Sequence, residues 1–111
     1  MATISNLFVD AGSSYSNIIT VASNTGAPLN LTGYTVKSQL RKSYQSSVAY
    51  NFNASVLTPT AGQVRLELTP VQSEAIPPGR YLYDVEITAP TGSRTRVVEG
   101  VVTVTPQITQ I

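Results

Sequence analysis

From Tyr81 to Thr88 the chain alternates strictly, with Tyr81, Tyr83, Val85 and Ile87 on one side and Leu82, Asp84, Glu86 and Thr88 on the other. A period of two is that of a β-strand with one face on a core and one on water or a partner. The pattern recurs over 34–42, where Tyr34, Val36, Ser38 and Leu40 oppose Thr35, Lys37, Gln39 and Arg41. It recurs again over 48–57, with Tyr50, Phe52, Ala54 and Val56 on one face, and over 63–68, where Val64, Leu66 and Leu68 oppose Gln63, Arg65 and Glu67. Further strands are predicted over 4–9 and 15–22, and a long last one over 94–105. Turn signals at Gly12, Gly26-Ala-Pro28, Thr58-Pro-Thr-Ala-Gly62 and Pro90-Thr-Gly92 separate these runs, at about the 8–12-residue spacing of a sandwich or barrel.

The last strand carries valine on both faces, Val98, Val102 and Val104 against Val97 and Val101. Such a strand is either covered twice or presents one face to another subunit, which makes Val97 and Val101 candidate contact residues. Gly100 in its middle marks a bulge or a close backbone approach. One helical turn is expected over 69–75, with Thr69 as cap and Pro70 at the first helical position. No other helix is predicted. The reading is an all-β chain of about seven strands in one domain over 1–111, with short arms at 1–6 and 106–111. The arms are uncharged and hold Ile4, Ile108 and Ile111, which suits docking on neighbouring subunits.

Composition narrows the function. Only 12% of the residues are charged, and seven basic against six acidic residues leave a net charge of +1; no field is available to steer nucleic acid. An apolar content of 41% is enough to fold the chain. Without cysteine no disulfide can staple it. The start lacks a basic region followed by an apolar one, and no apolar run approaches the 18 or so residues of a membrane span, so a protein made in the cytoplasm, with no membrane partner, is expected.

Candidate chemistry is sparse. The absence of histidine and cysteine removes Ser-His-Asp, Cys-His and zinc-finger arrangements. Asp84 and Glu86, two apart on one strand face, have the spacing to hold a hard cation or act as an acid pair; pairing with Arg65, Arg94 or Arg96 across a sheet accounts for them more simply. No glycine pattern fits a phosphate cradle, and no cofactor is expected. Lys37 and Arg41 share a face and suit either solvent or an acidic protein neighbour. Six tyrosines offer a stacking platform for a glycan, but four fall on inward strand positions, leaving Tyr44, in the polar loop 43–47, as the tyrosine expected to touch a partner.

Gly26-Ala-Pro28-Leu-Asn-Leu31-Thr-Gly-Tyr34, Pro78-Gly-Arg-Tyr-Leu-Tyr-Asp-Val-Glu86 and Arg96-Val-Val-Glu-Gly-Val-Val-Thr-Val104 resemble small structural proteins of tailed bacteriophages, especially those infecting cyanobacteria. The resemblance implies an immunoglobulin-like antiparallel β-sandwich in the virion, assembled in the host cytoplasm. It implies a non-enzymatic head decoration (cement) protein on the major capsid protein, homo-oligomeric on the particle, or else a neck, tail or baseplate part. A helical turn followed by Tyr-x-Tyr is similar to the approach to the sixth strand of immunoglobulin-like folds, where a tyrosine anchors the corner; Tyr81 or Tyr83 would take that part.

Overall fold

The computed structural model describes residues 3–22, 26–43, 45–106 and 108. Among these residues nine strand segments follow one another: β1 Thr3–Ile4, β2 Leu7–Asp10, β3 Tyr15–Thr20, β4 Thr35–Arg41, β5 Tyr50–Asn51, β6 Asn53–Thr58, β7 Gln63–Leu68, β8 Gly79–Thr88 and β9 Arg94–Thr105. They form two sheets. The larger runs β1-β9-β8-β4-β5 with β2 also on β9, and the smaller runs β3-β7-β6. Because β1 with β2 and β5 with β6 are each one strand interrupted, the nine segments amount to seven strands, arranged as in immunoglobulin-like sandwiches.

The expected antiparallel pairing holds everywhere except at the first strand, since β1 and β2 both lie parallel to β9. The expected arm over residues 1–6 is corrected accordingly: from Thr3 on, the chain is a sheet edge rather than a segment that leaves the domain. The predicted strand over 48–57 changes sheet at Phe52. Leu40 pairs with Tyr50 in the larger sheet, the Phe52 N–H donates to the Ser38 carbonyl at 3.0 Å, and Ala54 then faces Leu66 in the smaller sheet.

The alternation read from the sequence places the core. Leu40, Val64, Leu66, Val85 and Val102 are fully buried between the sheets. Phe52, at the crossing, joins the layers by ring contacts to Tyr15 at 6.0 Å and Tyr83 at 6.1 Å. Burying side chains of this size contributes about 1.5–3 kcal/mol each.

The helix α1, Pro70–Glu74, forms where it was expected and has a full capping box: the Thr69 hydroxyl accepts from the Gln72 N–H, and the Gln72 side chain accepts from the Thr69 N–H. A 3-10 turn also forms over Pro59–Ala61, where the sequence predicts a plain turn. That turn ends at Gly62, with φ 66°. A Cβ there would sit 2.6 Å from the Val21 carbonyl oxygen, so only glycine serves. After α1, the Tyr81 hydroxyl donates to the Pro77 carbonyl at 2.5 Å, so Tyr81 forms the corner that was open between the two tyrosines.

Candidate functional site

Strands β4, β8, β9 and the β1/β2 edge share an outer face that splits into a charged half and an apolar half. Alternation alone would put Arg94 and Arg96 on the same side of β9 as Val98, inside the sandwich. The register of β9 on β8 slips at one point: Val85 faces Val98, yet Glu86 faces Arg96. Val97 is therefore the extra residue of a bulge. It packs half-buried against the core, and the strand re-aims so that Arg94 and Arg96 join Glu99 and Val101 outside. The bulge allowed for at Gly100 lies at Val97, and Val97 leaves the contact surface for which it was a candidate.

This slip builds the charged half. Arg96 sits at the centre, its Nε 3.2 Å from Asp84 Oδ2 and its Nη1 3.3 Å from Glu99 Oε2. Glu86 faces Arg96 on one side and Lys37 on the other. Arg41 donates to the Ser46 carbonyl at 2.9 Å and to Gln39 Oε1 at 3.1 Å. Partial burial, followed by the neighbouring Glu86 charge, raises the Asp84 carboxyl above its ordinary range although Arg96 and Arg41 oppose the shift. Asp84 is thus paired with Arg96, one of the three arginines the simpler reading named, while Glu86 has Lys37 and Arg96 as its cross-strand neighbours. Among the described residues no group of three acidic side chains converges to hold a metal. An open groove of about 730 Å³, lined by Lys37, Gln39, Asn51, Glu86, Thr88 and Arg94 among others, runs beside it where β5 and β6 turn away from β4.

The apolar half depends on a different irregularity. In a regular parallel ladder the Val101 N–H would bond the Ser5 carbonyl, because the Ser5 N–H already donates to the Glu99 carbonyl at 2.9 Å. Asn6 Oδ1 takes that donor instead, at 3.1 Å, and the Ser5 carbonyl turns inward to accept from the Tyr83 hydroxyl at 2.6 Å. The turned peptide occupies the space a side chain at position 100 would need: a Cβ on Gly100 would lie 2.9 Å from the Ser5 carbonyl carbon and 3.1 Å from Asn6 Oδ1. This is the close approach that Gly100 signalled. Burial raises the Tyr83 hydroxyl above its ordinary pKa, against the hydrogen bond to Ser5.

Beyond the kink the alternation resumes with Leu7 and Val9 buried and Phe8 out. Ile4 and Phe8 are each 72% exposed. They flank Val101, which pairs with Leu82 on β8; Val101 and Leu82 are half-buried. Ile4 and Val101, both candidates from sequence, are brought together. Phe8 was missed, though its position between buried Leu7 and Val9 is the signal that finds it. Ile108 is 96% exposed past the end of β9. Tyr44 and Ile111 lie outside the described residues. The five described tyrosines are buried or half-buried against the core.

The fold and this face define an immunoglobulin-like domain with one partly apolar sheet surface. No protein-family model and no curated protein matches the chain. A family 123 glycoside hydrolase from Clostridium perfringens superposes with a TM-score of 0.45 and 10% identity over 98% of this chain. The chain spans 24% of that hydrolase's length, and a likeness this low transfers neither fold detail nor activity. No helix among the described residues is long and apolar enough to cross a membrane.

Proposed function

We propose that this protein is a non-enzymatic virion structural protein of a tailed bacteriophage, a head decoration protein that docks on the major capsid protein through the outer face of its larger sheet. One observation carries the docking surface: two large apolar side chains, Ile4 and Phe8, stand mostly exposed beside Leu82 and Val101 on one sheet face. Large apolar side chains left exposed together on one sheet face mark an interaction site. The ion pairs of Asp84, Arg96 and Glu99 form its polar border and supply register rather than affinity. The viral setting rests on the sequence resemblance of the Leu31-Thr-Gly-Tyr34 and Gly79-Arg-Tyr-Leu-Tyr-Asp-Val-Glu86 segments. A neck, tail or baseplate adaptor is the second reading, and it uses the same face.

The test is Phe8→Asp, a change at an exposed position that leaves the core untouched. The variant keeps the wild-type melting temperature and loses at least about tenfold in occupancy on purified particles, since burying one such side chain contributes about 1.5–3 kcal/mol. Full incorporation of the variant would rule out this face. Binding to tails but not to isolated heads would select the second reading.

A further inference from the structure

We propose that the free edge of β3 pairs with β3 of a second copy, joining two smaller sheets into one continuous antiparallel sheet. This goes beyond the proposed function, because it uses the opposite sheet and needs no viral partner.

The strand is six residues long, Tyr15–Thr20, regular throughout, and closes one side of the smaller sheet. Exposed edges normally carry a defence against pairing, such as a charge, a proline, a bulge or extreme shortness. The other edges have one. The β1/β2 edge is broken at Ser5 and Asn6 and bears Asp10; β5 is two residues long; β6 has a register slip between Val56 and Thr58 and runs into Pro59. The sequence Tyr-Ser-Asn-Ile-Ile-Thr of β3 contains no charge and no proline, and its pairing with β7 shows no slip.

The occupant follows from symmetry. Next to β3, the Val21 N–H donates to the Gly62 carbonyl at 2.7 Å, toward the β7 side. Alternation then turns the N–H and C=O groups of Ser16, Ile18 and Thr20 to the free side. A two-fold axis at Ile18 sets Ile18 opposite Ile18 of the second copy and Ser16 opposite its Thr20. All three pairs are of the hydrogen-bonded type, about six bonds in all. Ile18, 49% exposed, meets its own apolar equivalent, the hydroxyl residues meet each other, and no like charges are opposed. Self-complementarity of this kind is what an isologous dimer requires.

The experiment uses the whole chain, which has no native cysteine. Sedimentation across a concentration series shows a monomer–dimer equilibrium, and Ile18→Lys, which sets two ammonium groups face to face, sediments as a single chain with an unchanged melting temperature. Ile18→Cys cross-links under mild oxidation, because Cα atoms of a hydrogen-bonded antiparallel pair lie about 5.5 Å apart, within disulfide reach. Val71→Cys, exposed on α1, stays uncross-linked, because α1 is tied to Gly12 and Ser13 just before β3 and so lies off the two-fold axis at Ile18. A wild type that is monomeric at every concentration, a dimer that survives Ile18→Lys, or linking no better at position 18 than at 71 overturns the proposal.

Discussion

The two halves of the outer face share strands β8 and β9 but owe their composition to opposite departures from regular pairing. The charged half exists because one residue too many, Val97, is inserted into β9, which turns Arg94 and Arg96 outward to meet Asp84 and Glu86. The apolar half exists because one side chain is missing, at Gly100, so that the Ser5 peptide can turn in and Asn6 can stand in for backbone on Val101. An insertion changes which residues face out, whereas a deletion of side-chain volume changes what can lie against the strand. Both irregularities fall within four residues of one strand, and together they give the face two chemistries.

The comparison is broken most severely by Gly100→Ala. The added methyl group meets the Ser5 peptide, which is backbone and held at both ends by hydrogen bonds, so the edge must shift. We expect a loss of roughly 1–3 kcal/mol in chemical denaturation, with amide shifts concentrated at Ile4 to Phe8 and little change at Arg94 or Arg96. Equal disturbance of both halves would show that they are not separately supported.

A smaller effect tests the same link from the other side. Tyr83→Phe keeps the ring in the core and removes the donor to the Ser5 carbonyl, for an expected loss of about 1 kcal/mol. Tyr81→Phe, which removes the donor to the Pro77 carbonyl, costs a similar amount without loosening the Ser5 region. Hydrogen exchange at Val101 separates the two, rising in Tyr83→Phe alone.

The least effect belongs to the charged half. Burial and Glu86 raise the folded-state carboxyl of Asp84 above its ordinary value of 3.8. The folded protein therefore holds this proton more tightly than the unfolded chain, and stability from this group falls as pH rises from 3.8 through the raised value. Asp84→Asn removes that component and flattens the acid limb of the stability profile. A nuclear magnetic resonance titration midpoint for Asp84 below 3.8 would reverse the sign and refute the assignment.

Alternation in the sequence placed side chains on their observed sides wherever it ran unbroken. Tyr81 to Ile87 and Val64 to Leu68 are buried on the side expected of them, because a pleated strand between two layers leaves each side chain only two directions. The cap at Thr69 and the helix start at Pro70 were legible for an equally local reason: both answer unsatisfied backbone donors within one turn. The candidate face was half legible. Ile4 and Val101 stood out as apolar residues without an assigned core, while Phe8 was overlooked inside a strand that was not split into its two sides.

What the sequence by itself determined is the all-β class, the core face of most strands and the absence of imidazole and thiol chemistry, all properties of residue type and short-range spacing. Only the tertiary structure decided that the first strand lies parallel to the last, that the fifth and sixth segments pass between sheets at Phe52, and that Val97 turns in while Arg96 turns out. Each of these depends on how backbone donors and acceptors far apart in the chain find one another, as Val101 finds Asn6 across 95 positions. A period of two records which side a residue takes relative to its neighbours, and it loses count wherever a distant partner forces the strand to gain a residue or give up a bond.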